Sequence, residues 1–260
     1  MWVWKEPREM CLGIAALLAL ILIVLINLKL PVWPILNGSG LAPFLQAEAT
    51  GSVLNDLLVG LFSAYVFYLL IELIPKQRAA KHTLETLNLL VASVVDAYEV
   101  PTLFGHEKPI TSVNLSVLTI DNTQAYTAQV LKKPEMLRLT SAMRTGHSRY
   151  QDVQHALGMA VSVSPEHARD WLVLTDKLRL LAEEYTKFPQ GPFTDNPMGE
   201  PTPEQRLDLV AMASHNRYQE AMKFVPGSLQ TRVMEVFEAS TFWLERQGYK
   251  PRSPANPASA

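Results

Sequence analysis

The sequence predicts an all-α protein in which a two-helix transmembrane hairpin is followed by a cytoplasmic helical domain. Two uncharged apolar runs lie within the first 75 residues, a heptad pattern follows the second run, and the rest of the chain contains repeated helix-start signals. The predicted segments are a cytoplasmic N-terminus (1–10), a first transmembrane helix (11–28), an external loop (29–52), a second transmembrane helix (53–75), its helical extension (76–98), a cytoplasmic helical domain (99–250) and a disordered tail (251–260).

The first apolar run covers residues 11–28 and contains no charged residue. Three interpretations compete for it: a cleaved signal peptide, a buried core helix and a membrane anchor. A signal peptide has small residues at a cleavage site after its apolar core, whereas residues 27–31 read NLKLP. A core helix of this length normally keeps one polar face. We therefore predict a transmembrane helix, with Trp2, Trp4 and Trp33 as interfacial anchors.

The second apolar run begins a helix that is predicted from Asn55 to Tyr98. Residues 57–71 carry no charge, and the run extended to Ile74 is long enough to cross a hydrocarbon core of about 30 Å. Pro75 lies at the predicted water boundary, where it is expected to bend the helix rather than end it.

A heptad seam runs along this helix from Val59 to Tyr98, because apolar residues recur alternately four and three positions apart. The part of the seam in the extension consists of Ala80, Leu84, Leu87, Val91, Val94 and Tyr98. Two structures fit this spacing equally well. The helix either packs within its own cytoplasmic domain or pairs with the same helix of other copies.

Basic residues near the apolar runs predict the orientation of the hairpin. Lys5 and Arg8 precede the first run, Lys29 is alone in the connecting loop, and the second run is followed by Lys76, Arg78 and Lys81. Lysine and arginine remain on the cytoplasmic side of membrane helices. Both termini are therefore expected in the cytoplasm, with residues 29–52 outside.

Caps and prolines place the helices of the cytoplasmic domain. Residues 100–120 are expected to form a loop or a short strand. Beyond them, helices are predicted at 121–133, 134–163, 164–187, 202–224 and 228–247. The start signals are Asp121 or Asn122 for the first, Ser164 followed by proline for the third, and the capping box of Thr202 and Gln205 for the fourth. The last two helices are expected to be separated at Pro226.

Three polar positions are candidate sites in the membrane helices: Asn27, Ser63 and Glu72. Asn27 and Ser63 could form hydrogen bonds between helices. Glu72 is the only acidic residue late in the second run, and intramembrane acids often lie on ion or proton paths. It also precedes Lys76 by four residues, a favourable orientation for an ion pair on the helix surface, and this structural role is preferred.

The sequence contains no catalytic signature. Serine-nucleophile, phosphate-loop and HExxH motifs are absent, so no catalytic, cofactor or metal residue is predicted and an enzyme is the least favoured class. His147 is expected to be partly buried and His167 solvated. A net charge of −2 gives no reason to expect a nucleic-acid partner. Cys11 is the only cysteine, which excludes a disulfide within the chain.

The run Leu57–Lys76 resembles a segment of poorly characterised bacterial inner-membrane proteins with two spans, an aromatic-rich second span and a basic exit. Some proteins of this outline are similar to anti-phage effectors that damage the host membrane. The resemblance implies an inner-membrane location and no catalytic residue. The expected partners are the lipid bilayer, further copies of the chain and a cytoplasmic protein. Two functions are therefore predicted: an oligomeric membrane-perturbing effector, or a membrane-tethered adaptor whose hairpin is only an anchor.

Overall fold

The computed structural model describes four stretches of the chain: residues 7–27, 48–102, 108–189 and 201–248. Every regular element within these stretches is helical, so the predicted all-α fold class is confirmed. The chain divides into two compact units, Met1–Lys81 and His82–Ala260. Most of the predicted external loop and the whole predicted tail lie outside the described residues.

The first unit contains helices α1 (Pro7–Asn27) and α2 (Glu48–Tyr68), which pack against each other. A π-helical turn, Leu69–Leu73, follows α2 directly, and α3 (Ile74–Glu99) follows the π-turn. Pro75 has no backbone N–H and its ring crowds the preceding turn. The wider π-turn provides room for this ring, and helical structure continues through Pro75 as expected.

The second unit begins within α3 and contains five further helices in its described part. They are α4 (Ile120–Lys132), α5 (Met136–His155), α6 (Leu157–Val163), α7 (Pro165–Lys187) and α8 (Leu209–Arg246). Helix α7 packs against α5, α6 and α8, while α8 also packs against α4 and α5. Two short 3-10 turns, Ile110–Ser112 and Leu115–Val117, occupy the region where a loop or short strand was expected.

The observed caps explain where these helices begin. Ser164 is the predicted cap of α7, and its Oγ accepts a hydrogen bond from the His167 backbone N–H at 3.2 Å. Thr119 caps α4 instead of the predicted Asp121 or Asn122, because its Oγ1 accepts from the Asn122 backbone N–H at 3.2 Å. The predicted 134–163 helix is divided at Ala156 into α5 and α6.

The capping box at Thr202 forms as predicted but does not begin the long helix. Its two reciprocal hydrogen bonds with Gln205 measure 2.8 and 3.3 Å, and only a 3-10 turn follows, Gln205–Leu207. Helix α8 starts instead at Leu209, where the Asp208 carboxylate accepts a hydrogen bond from the Val210 backbone N–H at 2.9 Å.

The predicted break at Pro226 is wrong, because α8 runs through it as one helix. A proline inside a helix removes one backbone hydrogen bond, but tertiary packing contributes more to helix stability than local propensity does. The residues after Pro226 supply that packing, since the core includes Leu229, Val233, Val236, Phe237, Trp243 and Leu244. Gly248, with φ of 71°, follows the end of α8.

Candidate functional site

The first unit carries its large apolar side chains on its surface. Leu57 and Ile71 are 72% and 71% exposed, and the same is true to a lesser degree of Leu12, Ile14, Leu17, Leu18, Ile21, Leu22, Val24, Val53, Val59, Leu61, Phe67 and Leu70. One helical stretch among the described residues, Asn55–Glu99, is long and apolar enough to cross a membrane, and only 6% of its most apolar window is buried. The first transmembrane helix, predicted at 11–28 in the region of α1, therefore stays a prediction.

Small residues form the α1 side of the contact with α2. Gly13, Ala16 and Ala19 are buried at every third position of α1, while the leucines between them are exposed. Small side chains allow helix backbones to approach closely, as in helix pairs within membranes. The Tyr68 hydroxyl donates a hydrogen bond to Glu9 Oε1 at 2.7 Å. This bond joins the first turn of α1 to the last turn of α2, so the two helices are antiparallel.

The three predicted polar positions do not come together. Asn27 is the last residue of α1, Ser63 is half-buried in α2, and Glu72 is exposed in the π-turn. The expected ion pair between Glu72 and Lys76 is absent from the described side chains, so that expectation is wrong. Such a pair on an exposed helix surface contributes only about 0.2–0.5 kcal/mol, which does not fix two long side chains in one geometry.

Most of the predicted seam is buried within the second unit. Ala80 and Leu84 are half-buried, whereas four residues are at most 1% exposed and belong to the core of the second unit: Leu87, Val91, Val94 and Tyr98. These four side chains cannot contact another copy of the chain while the core remains closed. Packing within the chain's own domain therefore accounts for this part of the heptad pattern.

Aromatic rings surround the end of the seam. The Tyr98 ring meets Phe237 edge-on with centroids 5.0 Å apart, and the Arg138 guanidinium carbon lies 5.6 Å from the Tyr98 ring centroid. Burial and a hydrogen bond to Glu99 raise the pKa of Tyr126 to about 12. Burial also raises the pKa of Tyr98. Both phenols therefore stay neutral at physiological pH, which is consistent with a structural role.

A buried ion pair lies beside this cluster. Asp96 is 2% exposed, and its carboxylate accepts a hydrogen bond from Lys108 Nζ at 2.8 Å. Arg149 donates to the Lys108 carbonyl at 3.0 Å. The adjacent cavity of about 10 Å³ is lined by Ser93, Ala97, Val100, Thr102, Lys108, Val113, Ser141 and Thr145. Such a cavity has room for about one water molecule and is too small for an organic substrate. Nothing in the sequence spacing of Asp96 and Lys108 indicates this pair.

Two histidines differ from their predicted environments. His167 is 3% exposed, not solvated: its Nδ1 lies 2.9 Å from Ser164 Oγ, and its ring meets Trp243 edge-on at 5.6 Å. Burial lowers the pKa of His167. His147 is exposed rather than partly buried, and its ring stacks on Tyr185 with centroids 4.3 Å apart. Helix α7 crosses the core close to its first turn, which is why a residue next to a cap is buried.

A polar network joins α3 to the end of α8. The Trp243 indole N–H donates to Asn88 Oδ1 at 2.8 Å. Gln247 donates to the same oxygen at 3.0 Å, and Asn88 Nδ2 donates back to Gln247 Oε1 at 2.9 Å. These bonds give the buried indole a partner and close one end of the core.

A concave region lies between α7 and α8 in the described part of the second unit. This groove of about 470 Å³ is lined by Asp170, Val173, Ala239, Phe242, Glu245 and Arg246. The Phe242 side chain is 68% exposed, whereas Asp170 and Arg246 are paired with each other at 2.6 Å. Within the described part of the chain, no three histidine, cysteine, aspartate or glutamate side chains are arranged to hold a metal ion.

Comparison of the chain with family models, curated proteins and solved structures gives no match. The resemblance of Leu57–Lys76 to bacterial two-span proteins therefore stays a prediction. Two structural features bear on function: the exposed apolar surface of the first unit and the closed core of the second.

Proposed function

We propose that this chain is an integral protein of a bacterial inner membrane, with α1 and α2 crossing the bilayer as a hairpin. The observation that carries this proposal is the exposed apolar surface of the first unit. Soluble monomers rarely expose contiguous apolar patches larger than a few hundred Å². Each Å² of apolar surface left in water costs roughly 25 cal/mol, so this unit is expected to bury its surface in lipid.

Several features of α1 and α2 support the hairpin. Helix α1 has 21 residues, which at 1.5 Å per residue is about the 30 Å of a hydrocarbon core. The Tyr68–Glu9 hydrogen bond holds the two helices antiparallel. Arg8, Lys76 and Arg78 all belong to the end of the hairpin that this bond defines, which by the positive-inside rule is the cytoplasmic end. Both termini and the second unit are then cytoplasmic.

The second unit is proposed to act as an interaction domain that binds a cytoplasmic protein partner. The burial of Leu87, Val91, Val94 and Tyr98 favours the tethered adaptor over the oligomeric effector, because self-association cannot use these residues. An effector of the kind suggested by the resemblance would instead have to assemble through the exposed surfaces of α1 and α2.

Thiol labelling of the full chain in spheroplasts tests the hairpin. In a Cys11→Ser background, cysteine is placed at Ser52 or at Glu85, both of which are exposed. A membrane-impermeant maleimide is expected to label position 52 in intact spheroplasts and position 85 only after lysis. Labelling of both positions before lysis would contradict the hairpin, and so would protection of both.

Membrane potential separates the adaptor from the effector. Cells that express the full chain are monitored with a voltage-sensitive dye, beside cells that express Leu70→Lys, which places a charge on the exposed surface of the π-turn. An adaptor leaves the potential unchanged in both strains. Depolarisation by the unmodified chain that Leu70→Lys abolishes would support the effector and overturn the adaptor.

A further inference from the structure

The groove between α7 and α8 is lined by an exposed aromatic ring. Phe242 lines it from α8 and is 68% exposed, while Val173 lines it from α7 and is 52% exposed. Leu172, next to Val173 in the chain, is also 52% exposed. Apolar surface in contact with water is unfavourable, so a partner that covers these side chains would be stabilised by their burial.

Two carboxylates flank this ring along α8. Glu238 is four residues before Phe242 and Glu245 is three residues after it, so the three side chains share one face of the helix. Both glutamates are exposed, and Glu245 also lines the groove. Among the described side chains, neither glutamate forms an ion pair. This face of α8 therefore has an apolar centre between two negative charges.

The cations near the groove do not neutralise these two glutamates. Those on the adjoining turns of α7 and α8 are paired with other carboxylates at distances of at most 3.8 Å: Arg169 and Arg246 with Asp170, and Lys177 and Arg232 with Glu235. The charge left without a partner at the groove is thus negative. Complementary charge favours a cationic ligand here and disfavours a phosphate or an anionic lipid headgroup.

We propose that the groove between α7 and α8 binds a basic amphipathic helix of a cytoplasmic protein. An apolar side chain of that helix packs against Phe242 and Val173. Lysine or arginine residues one turn to either side of it pair with Glu238 and Glu245. Residues three and four positions apart share a helix face, so one short helix presents all of these groups together. This inference rests on the proposed role of the second unit as an interaction domain.

Binding of a model peptide by the full chain tests the groove. The probe is a fluorescent alanine-based helical peptide with one central leucine and a lysine one turn to each side. Fluorescence anisotropy measures its affinity for the chain in phosphatidylcholine nanodiscs, with empty nanodiscs as the blank. Glu238→Gln/Glu245→Gln should weaken binding by on the order of tenfold, because two ion pairs are lost. Phe242→Ala should weaken it by a similar factor, since an aromatic anchor is lost.

A matched control removes the same charge outside the groove. Glu204→Gln/Glu220→Gln changes two exposed glutamates and should bind the lysine peptide like the unmodified chain. Thermal unfolding midpoints should be alike in all variants, because the substituted side chains are exposed. Equal affinity of the two glutamine double variants would overturn the groove, and so would failure of the unmodified chain to bind the peptide.

Exchange of the charges separates specific pairing from general attraction. Glu238→Lys/Glu245→Lys should lose the lysine peptide and bind a matched peptide that carries glutamate at both places. A second matched peptide, with alanine in place of the central leucine, should bind the unmodified chain more weakly. Binding of the lysine peptide that is unaffected by either exchange would overturn the proposed pairing.

Formaldehyde cross-linking in cells that express the full chain distinguishes failure of this inference from failure of the proposed function. A cytoplasmic protein that is cross-linked equally to the unmodified chain and to Phe242→Ala contradicts the groove alone. Absence of any cross-linked cytoplasmic protein contradicts the interaction domain, and the groove with it. A cross-link between two copies of the chain that Phe242→Ala abolishes would assign the groove to self-association and overturn the protein partner.

Discussion

Helix α1 of the first unit and the core of the second unit bury opposite kinds of side chain. On α1, Gly13, Ala16 and Ala19 are buried and the described leucines are exposed. In the second unit the largest fully buried side chains include Trp171, Trp243, Tyr98, Phe237 and Leu139. Both units are made of helices, so the difference lies in what each surface contacts.

The proposed membrane hairpin explains this difference, because the two units would then lie in different solvents. In water, burial of large apolar side chains drives folding, because it removes the most apolar area. In lipid, an exposed leucine costs nothing, and helices associate through close packing and hydrogen bonds. In the proposed hairpin, the small residues of α1 and the Tyr68–Glu9 hydrogen bond are contacts of the kind that helices form in lipid. Substitutions in each of the two units test this difference.

The largest effect is expected in the core of the second unit. Trp243→Ala removes a fully buried ring and its hydrogen bond to Asn88, and should lower the free energy of unfolding of this unit by about 3–5 kcal/mol. Denaturant unfolding of the full chain, followed by near-ultraviolet circular dichroism, measures the loss. Membrane insertion of the same variant should be unchanged. A loss of insertion would mean that membrane insertion of the first unit depends on the stability of the second.

A charge on the surface of each unit gives the sharpest contrast. Leu61 in α2 and Leu172 in α7 are 53% and 52% exposed, so exposure alone does not distinguish them. Leu61→Lys should oppose insertion by about 2.5–3.5 kcal/mol, because the charge enters hydrocarbon. Leu172→Lys should change the stability of the second unit by no more than about 0.5 kcal/mol. Carbonate extraction and thermal unfolding measure the two outcomes, and equal tolerance would contradict a lipid-facing α2.

A smaller effect is expected at the buried ion pair. Asp96→Asn leaves the Lys108 ammonium without its partner and should destabilise the second unit by about 2–3 kcal/mol, less than for a fully buried pair because Lys108 is one-third exposed. Asp152→Asn is the control, since that carboxylate is 54% exposed and pairs with Arg149 at the surface. Thermal unfolding should separate the two variants. Equal unfolding midpoints of Asp96→Asn and Asp152→Asn would show that the Asp96–Lys108 pair does not stabilise the core.

The smallest predicted effect depends on pH and is limited to the second unit. Burial lowers the pKa of His167, so the unfolded chain binds a proton more readily than the folded chain does. Stability is therefore lost as pH falls below the ordinary histidine value of about 6.5. His167→Asn should flatten the fall in the unfolding midpoint from about pH 7 to about pH 5. His147→Gln, at an exposed histidine, should leave it unchanged. If the unfolding midpoint of His167→Asn falls with pH as steeply as that of the unmodified chain, His167 is not the source of the fall.

The sequence was sufficient to predict the fold class and most helices. Apolar periodicity and the cap signal of Ser164 and Pro165 depend only on residues that are close together in the sequence. It failed where tertiary contacts overrode a local signal. Pro226 is a strong local break, yet the core contacts of the residues after it keep α8 continuous. The capping box at Thr202 is local and formed, but the long helix begins at a second local signal, the N-cap Asp208, which was not among the predicted start signals.

The candidate sites were less predictable than the fold. Apolar runs identified the surface of α2, but the Tyr68–Glu9 bond joins residues far apart in sequence. The heptad spacing was real and yet ambiguous, because a core-facing stripe and a self-association stripe have the same period. Only the burial of its residues distinguishes the two.

The position of Pro226 divides α8 into two parts with different protection against local unfolding. Of the residues of α8 that are buried, only His215 precedes the proline, and the others run from Leu229 to Leu244. Segments with few buried contacts open at a lower free energy than the core does. Amide protons of residues 209–225 should therefore exchange with solvent through local fraying, while those after the proline exchange only when the whole unit unfolds. Although α8 is one continuous helix, its two parts are thus expected to open at different free energies.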